Sequence, residues 1–236
     1  MKLTYVFHSG FVVEGKAFTL IADYFRDTDD GFVRTHLPSF AGRVYVLASH
    51  RHPDHFNPEI LTWKQLRPDI QYLFSGDIPE RGKARWTDVA RLVRGDRWSD
   101  GVVAVQAFGS TDTGVSFLID AEGKRMFHAG DLNNWHWSEE STPEEVEAAG
   151  QAFLTEVDLL AQSAGRLDLA MFPVDARLGG NYMLGAEQFV ERIRVAVFSP
   201  MHFTPSYEAA EAFRPCAERA GCRFIGWKAK GESIDF

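Results

Sequence analysis

The 236-residue chain is 45% hydrophobic, enough to bury a substantial core, and a single domain over residues 1–236 is expected. Its formal net charge of -8 argues against binding a nucleic-acid backbone, which calls for a basic face, and no apolar run of about 18 residues is present to span a membrane. The opening Met1–His8 lacks a signal-peptide apolar region, and Cys216 and Cys222 fit no common zinc or redox spacing, so a cytoplasmic protein with both thiols simply packed is expected.

Residues 3–8, 11–14 and 17–22, broken by Ser9-Gly10 and Glu14-Gly15-Lys16, predict an opening β-meander. Residues 26–42, with their charges, Gly31, Pro38 and Gly42, read as a loop. Val44–Ala48 is apolar without alternation, the pattern of a strand covered on both faces. Asn57 as N-cap and Pro58 at the first position predict a helix to Leu66. A strand over 70–74, a helix near 86–93, and strands over 102–108, 114–119 and 125–129 follow. Thr142, Pro143 and Glu145 open the clearest helix, 143–163, with Val146, Ala149, Phe153, Val157 and Leu160 as its apolar stripe and Gly165 as its stop. Strand 168–174, helix 185–193, strand 195–199, a helix over 206–219 kinked or shortened by Pro215, and strand 223–227 complete the chain. Strands cluster first and strand–helix alternation returns later, so the class is α/β, with sheets and outer helices in layers.

The most informative segment is Ser49-His50-Arg51-His52-Pro53-Asp54-His55-Phe56, where three imidazoles and one carboxylate fall in six positions after a buried strand. Imidazole and carboxylate suit zinc, iron and manganese. In an extended chain His50 and His52 share a side and can grip one ion. A turn at Pro53 would let Asp54 and His55 reach a second. Four apolar runs end in a group able to bind metal: Val44–Ala48 before His50, 125–130 before Asp131, 168–174 before Asp175, and 195–201 before His202. Ligands of α/β proteins bind beyond the carboxyl ends of strands, so neighbouring strands would bring these groups together. Alone, an Asp after a strand is commonly a turn residue or cap, which is the reading kept for Asp175. Gly130 permits close backbone approach at Asp131, and the repeated pattern makes Asp131 and His202 expected ligands.

His50-x-His52-x-Asp54-His55 after a buried strand, Gly130-Asp131 after a later one and a terminal strand ending in His202 resemble the metallo-β-lactamase superfamily over most of the chain. His8-Ser9-Gly10-Phe11 with Asp23, Ala129-Gly130-Asp131, Phe172-Pro173-Val174, Met183-Leu184-Gly185 and Pro200-Met201-His202-Phe203 look like its stand-alone metal-dependent hydrolases, a branch that includes ascorbate-phosphate lactonase-like proteins. The resemblance implies a four-layer αββα sandwich with a one- or two-metal site at the upper edge of the sheets. It implies that His50 and His52 bind a first metal, that Asp54, His55 and His202 bind a second, and that Asp131 bridges both. One departure stands out. The family supplies a further histidine to the first metal, and the corresponding stretch Ala107–Gly114 has none, with Gly109 or Ser110 in its place. Either Asp112 substitutes as an oxygen ligand and shifts preference toward manganese or iron, or the first site is weaker, or His8, His128 or His136 reaches in.

Two divalent ions about 3.5–4 Å apart can share a water, lower its pKa and hold it as a hydroxide that attacks a carbonyl or phosphoryl centre. Asp54 would orient that nucleophile and carry its proton. The expected function is therefore a metal-dependent hydrolase of a small ester, lactone or phosphodiester. It would carry one or two divalent ions per chain, zinc first, with manganese or iron as alternatives. Trp135, His136 and Trp137 read as pocket wall, and Arg177 as a clamp for phosphate or carboxylate, against the alternative of a structural ion pair. His8 reads as a group that fixes a ligand or faces the small-molecule substrate. No nucleophile elbow, phosphate-binding loop or dinucleotide fingerprint competes. The alternatives on the same fold are a mononuclear-iron redox protein, a nuclease, or a non-catalytic metal-binding protein. Nothing in the sequence bears on oligomeric state.

Overall fold

The computed structural model describes residues 1–80 and 88–236. In the first sheet β1 (Lys2–Phe7), β2 (Gly10–Glu14) and β3 (Phe18–Ala22) are antiparallel, and β4 (Arg43–Ala48), β5 (Gln71–Ser75) and β6 (Val89–Leu92) continue parallel to β3. In the second, β7 (Arg97–Ser99), β8 (Val103–Phe108), β9 (Ser116–Ala121) and β10 (Lys124–His128) are antiparallel, and β11 (Arg166–Pro173), β12 (Arg194–Met201) and β13 (Arg223–Phe224) run parallel to β10. The final strand, β14 (Ser233–Asp235), returns to pair with β1 in the first sheet.

Side-chain alternation along β4 builds the layers. Tyr45 and Leu47 join the large core shared with the second sheet, whereas Val44, Val46 and Ala48 pack outward. The outward cluster is covered by Val33 of α1 (Phe32–His36) and by Ile60 and Trp63 of a 3-10 helix over Pro58–Gln65. The second sheet is covered by α2 (Pro143–Ala164), α3 (Leu184–Arg192) and, beyond the short α4 (Tyr207–Glu211), α5 (Arg214–Arg219). The architecture is an αββα layered sandwich. Its second helical layer is keyed by Phe153 of α2 and Phe189 of α3, whose rings meet Phe172 of β11. Phe153 is fully buried, and truncation to Ala would cost about 3–5 kcal/mol.

Several local outcomes differ from expectation. The 26–42 stretch holds α1 and a 3-10 turn over Leu37–Ser39, because Asp27 accepts hydrogen bonds from the amides of Thr28, Val33 and Arg34. The segment after Asn57 is 3-10 rather than α; a spacing of three puts Ile60 and Trp63 on one side, and both are buried. Val89–Leu92, expected to be helical, is instead a strand whose hydrogen-bond partner is β5, while residues 86–87 of that expectation lie outside the described residues. Pro215 opens α5 and so divides the 206–219 helix into α4 and α5. The predicted strand 223–227 shortens to Arg223–Phe224. Among the described residues no helix is long and apolar enough to cross a membrane.

The sheet pairings fix where function can sit. β1, β3, β4 and β5 point the same way in the first sheet, as do β8, β10, β11 and β12 in the second. Their carboxyl ends lead to His8, Asp23, His50, Asp77, Asp112, Asp131, Asp175 and His202 in turn.

Candidate metal centre

Two groups of side chains form at this edge, each with its donor atoms within 4.8 Å of one another: His8, Asp54, His55 and His202, and His50, His52, Asp112 and Asp131. Asp131 joins them. Its Oδ1 lies 3.0 Å from His55 Nε2 and 3.4 Å from His202 Nε2, and its Oδ2 lies 3.3 Å from His50 Nε2. Each is a close approach of an imidazole nitrogen to a carboxylate oxygen. The Nε2 atoms of His8, His50, His55 and His202 and Oδ1 of Asp131 are buried without a hydrogen-bond partner. Such atoms are costly unless something bridges them, and a cation held by several of them meets that need.

The rings are held from behind. His55 Nδ1 donates to Asp23 at 2.7 Å and His202 Nδ1 donates to Asp175 at 2.9 Å. Ser49 Oγ donates to Asp23 at 2.6 Å, so it receives the Nδ1 proton of His50 at 3.0 Å. Each contact fixes the tautomer that turns the Nε2 lone pair to the centre, as metal ligation requires. Burial opposes charge on Asp131, yet His55 holds its carboxyl well below the usual range. Burial likewise opposes charge on His55, and Asp131 and Asp23 outweigh it, raising the imidazole to about 10.

Backbone conformation places these groups. His8, Asp23 and His202 adopt left-handed φ of 58°, 44° and 60°, and the amide of His202 donates to the carbonyl of His8. Non-glycine residues accept that strain where surrounding contacts impose it. Gly130, φ 52°, lies so close that a Cβ would sit 2.7 Å from Ser49 Cβ, and one at Gly114 would sit 2.4 Å from His50 Cβ. Both loops must be glycine there to close on the His50 strand end.

A profile of the beta-lactamase superfamily domain matches residues 2–148, more than half of the chain. The chain belongs to the metallo-β-lactamase superfamily. A protein of Symbiobacterium thermophilum named as a metal-dependent hydrolase is 27% identical over 219 residues, covering 86% of this chain and 84% of its own. A metallo hydrolase from the archaeon Ignicoccus hospitalis superposes on 100% of this chain and 98% of its own, with a TM-score of 0.65 at 17% identity. A metallo-β-lactamase fold protein of Bacillus subtilis superposes over 99% of each chain, with a TM-score of 0.64 at 13% identity. The two structural likenesses concern the fold.

Within this metallo-β-lactamase domain the sequence-expected residues are sorted by geometry. His50, His52, Asp54, His55, Asp131 and His202 come together. His8, read as a group behind a ligand, as facing substrate or as a possible extra donor, joins the donors around His55, its ring 4.1 Å from that of His202. Where the family histidine is missing, a Cβ at Gly109 would meet Glu156 Oε2 of α2 at 2.5 Å, and the Gly109 amide donates to that carboxylate. Asp112 stands nearby, its Oδ2 3.3 Å from His52 Nδ1. His128 and His136 do not reach in, since both nitrogens of each ring are engaged, His128 with Ser9 and Gly130, His136 with Asn181 and Ser138. His136 is therefore a buried brace rather than pocket wall. Trp135 donates to the carbonyl of Asp131 and sets its ring 5.5 Å from that of His202, with Trp137 stacked beyond it. Arg177 grips Asp175 through two nitrogens.

Three supporting residues escaped assignment. Asp23, named in the resemblance without a role, ends the apolar run Phe18–Ala22, the same strand-end signal that marks Asp131. Asp77, after β5, accepts from the Arg51 amide and from Thr113. Ser49 had no signal beyond adjacency to His50. Asp175, read as a cap, does cap the turn at Arg177 and also holds His202.

Proposed function

We propose that this protein is a metal-dependent hydrolase that cleaves a small ester, lactone or phosphodiester. The observation that carries the reading is the set of buried donor atoms on His8, His50, His55, His202 and Asp131 that face one another without hydrogen bonds. His50, His52, Asp112 and one oxygen of Asp131 would hold one divalent ion, and His8, Asp54, His55, His202 and the other oxygen of Asp131 a second. Bound there, two such ions supply Lewis acidity and a water of lowered pKa. The relative from Symbiobacterium thermophilum, named as a metal-dependent hydrolase, supports the same reaction class.

The chain's own groups then divide the work. Asp54 is ionised, because the His8 imidazole 3.5 Å away holds its carboxyl well below the ordinary range, and it is half-exposed at the mouth. It accepts a hydrogen bond from the attacking water, takes its proton as the water oxygen bonds to the carbonyl or phosphoryl centre, and returns that proton to the leaving alkoxide as the ester, lactone or phosphodiester C–O or P–O bond breaks. Asp23 and Asp175 keep His55 and His202 in register during the step. Trp135 walls the site beside His202 and excludes water from one side. Arg177, with its side chain 61% exposed, keeps a positive charge at the mouth and can meet an anionic group of the substrate. The net charge of -8 favours a small molecule over a nucleic acid.

A panel of nitrophenyl esters, lactones and phosphodiesters, assayed before and after chelation, tests the reading. Activity toward at least one class is expected, lost with the metal and restored by a divalent ion. Hydrolysis that survives complete metal removal would contradict it.

A further inference from the structure

We propose that the two halves of the site take different divalent ions: zinc among His8, Asp54, His55 and His202, and a harder ion such as manganese or ferrous iron among His50, His52, Asp112 and Asp131. This rests on the metal-dependent reading above and refines it. With Asp131 shared, the first group offers three imidazoles and two carboxylates, the second two imidazoles and two carboxylates, so oxygen makes up a larger share of the second. Imidazole-rich sites suit zinc, whereas sites richer in oxygen donors and open to water suit harder ions that keep six ligands. The first half has one donor well exposed to solvent, Asp54 at 41%, with His55 at 0% and His202 at 3%; the second has two, His52 and Asp112 at 41% and 44%, so water can reach its donors from a wider face.

Asp112 is built into place. Thr111 Oγ1 bonds the Asn133 carbonyl at 2.5 Å and receives the Asn133 amide at 3.0 Å, tying its loop to the segment that carries Asp131. On the other side Thr113 donates to Asp77 Oδ2, which also takes the Arg51 amide between His50 and His52. Asp77 Oδ1 is buried beside this half with no hydrogen-bond partner, an acceptor ready for a water carried by the ion. Glu156, which fills the space a side chain at Gly109 would need, is fixed in turn by Arg94. The chain has thus exchanged a nitrogen donor for a braced oxygen donor in one half only.

The test uses the full-length protein, stripped by chelation and loaded with buffered zinc. Free manganese is raised stepwise against the fixed zinc. Both metals are counted per chain by mass spectrometry, and bound manganese is read by electron paramagnetic resonance. One zinc should leave as one manganese enters while the other zinc stays. Asp112→His should raise the manganese concentration needed by about tenfold or more. Asp112→Asn, which keeps the side-chain shape, should weaken manganese uptake without disturbing the retained zinc. If both zincs leave together, or neither leaves at any manganese concentration, the division between the halves is wrong although metal dependence stands. If the protein takes up no metal at all, the hydrolase reading falls with it.

Discussion

The groups around His55 and around His52 share Asp131 but are supported differently. His55 and His202 are each backed by a buried carboxylate, Asp23 and Asp175; His202 directly follows β12, and His55 closes the turn after His52. His52 and Asp112 lie on loops at the surface, held through their neighbours, the Arg51 amide and Thr113 hydroxyl on Asp77 and the Thr111 hydroxyl on Asn133, rather than through their own side chains. The contrast teaches how one sheet edge can supply both a rigid anchor and an adjustable mouth. Groups whose orientation is fixed during folding lose little entropy on binding, whereas exposed side chains must be ordered by what they bind.

The largest effect should come from the residue the halves share. Asp131→Ala removes both oxygens that face the two groups, so metal content should fall toward zero and hydrolysis by roughly 10³-fold or more, about 4 kcal/mol. Retention of one full equivalent of metal would show that a half stands without the bridge. Asp23→Asn should act on the buried side, weakening metal affinity roughly 10–100-fold because His55 loses the carboxylate that orients it. Competition with a chelating dye would measure this, and unchanged affinity would contradict the asymmetry. Asp112→Ala should lower metal content by about one ion per chain yet shift stability by no more than about 0.5 kcal/mol, as its side chain is half in solvent. Urea unfolding of the metal-free variant separates those two readouts.

The smallest expected effect is on pH. Without metal His55 is raised to about 10, above its unfolded value of about 6.5. Its contribution to stability is therefore full below pH 6.5 and lost as pH rises toward 10. Metal-loaded protein, with His55 neutral, should lack that decline. Thermal melts of both forms across this window would check it, and parallel curves would count against the buried His55–Asp131 pair.

Much of the buried half was legible in the sequence, because apolar runs that end in Asp or His mark strand ends and the sheets bring those ends together. His8 was harder to place: its ring reaches the centre only through a left-handed turn that its residue type does not announce. Asp112 was left open among several readings, since a carboxylate in a Ser-Thr-Asp-Thr-Gly turn looks the same whether it caps the turn or faces His52 some 60 positions away. The absent histidine was visible, but the neighbour of Gly109 was not, because Glu156 meets it only once α2 lies across β8. Short strands such as Arg97–Ser99 and Ser233–Asp235 carry too few residues for alternation to register.

Calorimetric titration of the metal-free protein with zinc alone tests the central claim most directly. Two binding events of unequal affinity are expected, the tighter one persisting in Asp112→Ala and the weaker one lost. A single event, or two that respond equally to that substitution, would contradict a site made of one anchored and one open half.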